Sequence, residues 1–149
     1  MTQSKFKTIV IRDAELYWAK LEKPVSSFNG PLAYEIVAQT SDEAKANEWK
    51  AMNLNVKKVE KDGKVTFKVS LKRKDANKSG NKNPAPDVIF ENADDSMATA
   101  RDIGNGSIGH IRCFQYDYEV NGRKGVATQF NAVKVTKLIK FEAADEIDF

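Results

Sequence analysis

Between residues 64 and 72 the chain alternates without a break. Val65, Phe67, Val69 and Leu71 are apolar, while Lys64, Thr66, Lys68, Ser70 and Lys72 are polar or charged. Successive side chains of a strand point to opposite faces, so this stretch has one face to bury and one basic face that stays in water. Residues 56–60 form a second run, separated from the first by Lys61-Asp62-Gly63. Asp-Gly between two such runs signals a hairpin. One apolar and one basic face is the pattern of a barrel wall whose outside meets an anion.

The rest of the chain supplies the other walls. Residues 8–20 carry Ile9, Val10, Ile11, Leu16, Tyr17 and Trp18 around the charged run 12–15, which reads as one long strand bent or bulged at its middle. Residues 24–31 are a loop, and 32–39 form a second strand. Thr40 or Ser41 then offers an N-cap for a helix over 42–52, with Trp49 gluing it to the barrel. The polar run 72–86 has almost nothing to bury and is expected to be mobile. Residues 87–90 are a short strand and 91–101 irregular. Ile103-Gly104-Asn105-Gly106-Ser107 is a turn that launches a long strand to Val120, and Asn121-Gly122 returns it over 125–141. The expectation is a mainly β single domain, a small barrel closed or partly open, with one helix inserted.

Composition removes several function classes. Cys113 and His110 are the chain's one cysteine and one histidine, so an intrachain disulfide is impossible and a Cys/His zinc site lacks ligands. Nucleophilic triads are unsupported. The glycine-rich turn is followed by no Lys-Ser/Thr and is not a nucleotide loop. Asp94-Asp95 is weak evidence for a divalent ion. Catalysis is disfavoured and no cofactor is expected. No stretch approaches the ~20 apolar residues of a membrane span, and no secretory leader is evident. A cytoplasmic location follows as an expectation.

The charge is unevenly placed. Residues 57–82 hold ten Lys or Arg against three acids, a dense field suited to phosphates. Lys64, Lys68, Lys72, Arg73, Lys74, Lys78 and Lys82 are the candidate contacts, with Arg112 beside the aromatics. Phe114, Tyr116 and Tyr118 share one face of their strand, and rings beside a guanidinium suit stacking on unpaired bases. The same rings could instead fill the barrel, which polar Gln115, Asp117 and Glu119 on the other face favour; a bulge would leave Phe114 inside and Tyr116 or Tyr118 at the rim. Tyr17 and Trp18 are adjacent, so one ring is expected inside and one outside. Phe28, in its loop, is a further stacking candidate. The last eight residues carry four carboxylates and no cation, leaving +7 on the remainder of a chain whose formal charge is +3. A tail of that sign can occupy a groove built for a polyanion.

These residues resemble the bacteriophage single-stranded DNA-binding proteins built on an OB-fold. Leu16-Tyr17-Trp18-Ala19-Lys20, Lys23-Pro24 and Tyr34-Glu35-Ile36-Val37 resemble that family's first two strands, and Val65-Thr66-Phe67-Lys68-Val69 its third. Ile103-Gly104-Asn105-Gly106-Ser107, Phe114-Gln115-Tyr116-Asp117-Tyr118 and Gly125-Val126-Ala127 resemble its final pair, and the acidic run ending in Phe149 its tail. The tail here is short and has few acids for that family.

The resemblance implies an OB-fold five-stranded barrel over 1–141 and a disordered acidic tail over 142–149. It implies single-stranded DNA as the partner, bound without sequence preference in phage replication, recombination and repair. Tyr116 and Tyr118 would stack on bases. Glu142, Asp145, Glu146, Asp148 and Phe149 would engage a polymerase, helicase or nuclease. A homodimer, an RNA-binding OB domain and a structural or assembly β-domain stay open.

Overall fold

Two tight turns set the strand pairing. Asp62-Gly63 and Asn121-Gly122 both have left-handed backbone, with φ of 53° and 76° in the first and 52° and 78° in the second. Two successive positive φ values twist a hairpin in the sense its strands require, and Asp-Gly and Asn-Gly adopt them readily. The computed structural model describes residues 7–25, 32–74, 82–92 and 98–139. In chain order the elements are β1 (Lys7–Val25), β2 (Ala33–Thr40), α1 (Glu43–Ala51), β3 (Lys57–Lys61), β4 (Lys64–Lys74), β5 (Asp87–Phe90), β6 (Ser107–Val120) and β7 (Arg123–Lys137). The strands form one sheet in the order β3-β4-β2-β1-β6-β7-β5. Every step is antiparallel except the last, where β5 runs parallel to β7.

The expected bend in β1 falls on its charged stretch. The register with β6 shifts between Ile11 and Ala14, and Asp13 has φ of 53°. Two side chains hold this bulge: the Asp13 N–H donates to His110 Nδ1 at 3.0 Å, and Lys45 Nζ donates to the Asp13 carbonyl at 3.0 Å. The first half of β1 pairs with β6 and the second with β2, while Glu15 and Leu16 pair with both. The sheet curls around this shared strand until β4 and β7 come into contact. β4-β2-β1-β6-β7 is therefore the five-stranded barrel of the expected OB-fold. Among the described residues the sheet has two strands more than that, β3 and β5, one added at each edge.

Ile11, Leu16, Ile36, Val69, Ile111, Phe130, Val133 and Val135 fill the barrel. Gly109 is buried where β1, β6 and β7 meet, and a Cβ there would run into the Lys134 carbonyl oxygen and press on Leu16. The helix carries Trp49 into the same core, where truncation to Ala would cost about 3–5 kcal/mol. Its N-cap is Asp42, not Thr40 or Ser41: Asp42 Oδ1 accepts the Ala44 N–H at 2.9 Å, and Thr40 Oγ1 instead accepts the Asp42 N–H at 3.1 Å. At the other end Asn53 takes φ of 62°. The Leu54 N–H reaches Trp49 O at 3.2 Å and the Asn53 N–H reaches Lys50 O at 3.0 Å, a Schellman closure.

The polar run over 72–86 is shorter at both ends than the sequence implies. β4 continues through Lys74. Arg73 Nε donates to the Pro84 carbonyl at 3.0 Å, and Asn83 Nδ2 to the Lys74 carbonyl at 2.8 Å. Residues 75–81, like 142–149, lie outside the described residues.

Candidate nucleic-acid interface

The direction of the β6 side chains decides what the aromatics do. Ile111, Cys113 and Gln115 point into the barrel and are buried. Arg112, Phe114 and Tyr116 therefore stand on the outer face. Gln115 corrects the expectation that this polar face is the outer one. It is 3% exposed, and its Nε2 donates to the Met52 carbonyl at 2.6 Å and to Thr128 Oγ1 at 3.1 Å. A polar side chain is tolerated inside when its bonds are made there. Asp117 and Glu119 share its parity yet are exposed, because β1 runs alongside β6 only as far as the Lys7–Gln115 pair. Beyond it, among the described residues, β6 and β7 form a two-stranded arm.

On the outer face the Phe114 and Tyr116 rings lie 6.3 Å apart between centroids and 26° from parallel. Arg112 is set beside them by a second bulge. The register with β7 shifts between Arg112 and Cys113, so that Asn131 is the extra residue, and its Oδ1 accepts from Arg112 Nε at 3.0 Å. Of Tyr118 the structure describes only the backbone, which pairs with Gly125.

Tyr17 and Trp18 correct a second expectation, since neither ring is in the core. The register between β1 and β2 shifts between Tyr17 and Lys20, so the two strands differ by one residue. Tyr17 shares its face with Glu15, opposite buried Leu16, and is half-buried. Burial, and then the Glu15 carboxylate, push its phenol pKa above the ordinary value. Trp18 takes φ of 50° and is 62% exposed. Left-handed backbone at a bulky residue costs roughly 1–2 kcal/mol and needs an external hold. Asn105 supplies it: its Oδ1 accepts the Trp18 N–H at 2.9 Å. The Gly-Asn-Gly turn is itself tied down, through Gly106 N–H to Leu16 O at 2.9 Å and through Ser107 Oγ, which accepts the Ile139 N–H at 2.8 Å. The turn therefore launches β6, as expected, and also positions an exposed ring, which its glycine pattern alone does not reveal.

The basic residues divide by parity. Lys64, Lys68 and Lys72 alternate with the buried residues of β4 and stand on its outer face. Lys68 pairs across to Gln39, and Lys72 to Glu35, whose Oε1 lies 3.6 Å from its Nζ. Glu35 pairs in turn with Lys20 on β1, an exposed cation far in sequence from the basic run 57–82. Arg73 falls on the parity of Leu71 and spends its Nε on Pro84. Lys74 and Lys82 are exposed at the ends of the polar run. Tyr17, Trp18, Lys20, Lys68 and Lys72 thus form one group on β4-β2-β1, and Arg112, Phe114 and Tyr116 a second on β6. Both face outward, and at ~3.3 Å per residue Tyr17 lies roughly 23 Å along β1 from Val10, the partner of Arg112, and roughly 30 Å from Thr8, the partner of Phe114. Phe28, Lys78, Glu142, Asp145, Glu146, Asp148 and Phe149 lie outside the described residues.

Among the described residues no helix is long and apolar enough to cross a membrane. Among the described residues no group of three or more His, Cys, Asp or Glu is placed to hold a metal ion.

Solved structures share this fold. The single-stranded DNA-binding protein of bacteriophage Enc34, in complex with ssDNA, is 13% identical, with 87% of this chain and 86% of that one covered and a TM-score of 0.61. A second structure of the Enc34 protein is 14% identical over 95% of this chain and 90% of that one, with a TM-score of 0.60. Gp2.5, a single-stranded DNA-binding protein encoded by bacteriophage T7, is 18% identical over 97% and 98%, with a TM-score of 0.50. No protein-family model matches the chain, and no curated protein aligns with it.

Proposed function

We propose that this chain binds single-stranded DNA without sequence preference, as a non-enzymatic protein of phage DNA replication. The observation that carries the reading is the outward turn of Phe114 and Tyr116, made possible because Gln115 takes the interior. Rings on an outer face offer stacking surfaces to any unpaired base, at ~1–3 kcal/mol per base. OB barrels bind oligonucleotides over the face of their central strands and the loops beside it. Here that surface carries Tyr17 and Trp18 between Lys20, Lys68 and Lys72, and β6 adds Arg112 and Phe114 beside β1 and Tyr116 and Tyr118 on the β6–β7 arm. Lys64, Lys74, Lys78, Lys82 and Arg73 supply phosphate neutralisation around the rings, and Phe28 a further stacking surface. The likeness to the Enc34 and T7 proteins supports the reading at the level of fold.

Roles in recombination and repair extend the same chemistry. The acidic tail competes with DNA for the basic surface and presents Phe149 to a replication polymerase, helicase or nuclease. The site of action is the host cytoplasm. Titration of the intrinsic Trp and Tyr fluorescence with oligo-dT at several salt concentrations tests binding: quenching whose affinity falls linearly in log–log with salt is expected. Absence of quenching and of any gel shift at low salt overturns the proposal in favour of an assembly role. Equal affinity for matched RNA would show that the surface does not select DNA.

A further inference from the structure

β3 and β5 are the two ends of the strand order, so each has one hydrogen-bonding edge with no strand beside it among the described residues. Their residues are not alike. β3 is Lys57-Lys58-Val59-Glu60-Lys61, exposed throughout. β5 with the residue after it is Asp87-Val88-Ile89-Phe90-Glu91. On the outer face, β3 shows Lys57, Val59 and Lys61, and β5 shows Asp87 and Ile89 with Glu91 following. Val59 is 38% exposed and Ile89 52%. An apolar residue between two charges thus appears on both edges, basic on one and acidic on the other.

We propose that copies of this chain associate head to tail, β3 of one along β5 of the next in antiparallel register. Lys57 then faces Glu91, Val59 faces Ile89 and Lys61 faces Asp87. On the other face Lys58 meets Phe90 and Glu60 meets Val88, so no like charges oppose one another. The topology supplies the direction: five antiparallel steps and one parallel step separate β3 from β5, which leaves them antiparallel to each other. A neighbour that adds its β5 to a free β3 can therefore keep the same face outward. The alternatives are opposed. Two β3 edges would set lysines against lysines, a recognised protection of sheet edges, and two antiparallel β5 edges would set Asp87 against Glu91. Only the unlike pair remains, and such a contact propagates instead of stopping at two copies. Lys134, 3.9 Å from Glu91 at an exposed position, is a weak competitor for that carboxylate.

The contact is short, and interfaces of this size are weak, so it is read by amide NMR across a dilution series reaching millimolar protein at low salt, without DNA. Concentration-dependent shifts confined to residues 57–61 and 87–91 are expected. Lys57→Glu with Lys61→Glu, or Asp87→Lys with Glu91→Lys, should weaken self-association roughly tenfold or more, and the equimolar mixture of the two variants should recover it. Val59→Lys gives an independent disruption at an exposed position. A wild-type protein with no such shifts, shifts located elsewhere, or a mixture no stronger than its separate components overturns the proposal. None of these readouts depends on nucleic acid, so the DNA-binding reading stands or falls apart from it.

Discussion

Gln115→Ala and Tyr116→Ala, made at neighbouring positions of one strand, should have opposite consequences. Gln115 is sealed inside, and its amide bridges the end of the helix to β7. Removing it deprives the Met52 carbonyl of its 2.6 Å donor, an unsatisfied group worth about 1–3 kcal/mol, and leaves a cavity besides. We expect a loss of roughly 2–4 kcal/mol of folding stability, a large part of the ~5–15 kcal/mol a domain commands. Oligo-dT affinity, measured where the variant is still folded, should be nearly unchanged. Tyr116 is half-buried on the outer face, and its truncation should cost under ~1 kcal/mol of stability. It should cost ~1–3 kcal/mol of binding instead, roughly 5- to 150-fold in Kd. Urea unfolding and an oligo-dT titration at one fixed salt concentration read the two quantities separately. If Tyr116→Ala unfolds the domain while Gln115→Ala is benign in stability and harmful to binding, the assignment of faces on β6 is wrong.

Three further outcomes follow from particular contacts. Asn105→Ala should release the Trp18 backbone, reduce Trp quenching by oligo-dT and weaken binding severalfold; in a Trp18→Ala background it should have no further effect on affinity, whereas a merely structural Asn105 would weaken both equally. Burial pushes the Cys113 thiol from its ordinary 9.0 up to about 12, so above pH ~9 the unfolded chain releases a proton that the folded one keeps. Stability should fall by up to ~1.4 kcal/mol per pH unit from this group, and Cys113→Ala should make the urea midpoint less steep in pH between about 9 and 10.5 than in the parent protein. Gly109→Ala drives a Cβ into backbone that cannot yield, and thermal unfolding should report a loss of about 1–3 kcal/mol or more.

The strands were legible where local chemistry decides the conformation. Asp62-Gly63 and Asn121-Gly122 have the left-handed turns their residue types favour, and the alternation of residues 64–72 gives the inner and outer faces of β4 without tertiary information. Gln115 was misplaced because its partners, Met52 and Thr128, are distant in sequence; only the fold brings them close enough to pay for an interior amide. Tyr17 and Trp18 defied the period-two rule through a bulge held by Asn105, some ninety residues away in the chain order. Arg73 reads as one more cation of a basic run, and what the run does not reveal is that its Nε also donates to the Pro84 carbonyl and holds the loop. The added strands β3 and β5 change the edges of the barrel without altering the five strands that close it.

The double pairing of Glu15 and Leu16 has a mechanical consequence. Neither wall of the barrel can peel away on its own, because the stretch that would be the seam belongs to both. Opening from either side has to stop at these two residues or continue into the other half. Amide protons around residues 14–16 should accordingly be among the last to exchange with solvent, and lengthening the chain should be far better tolerated at residues 62–63 or 121–122 than anywhere near this joint.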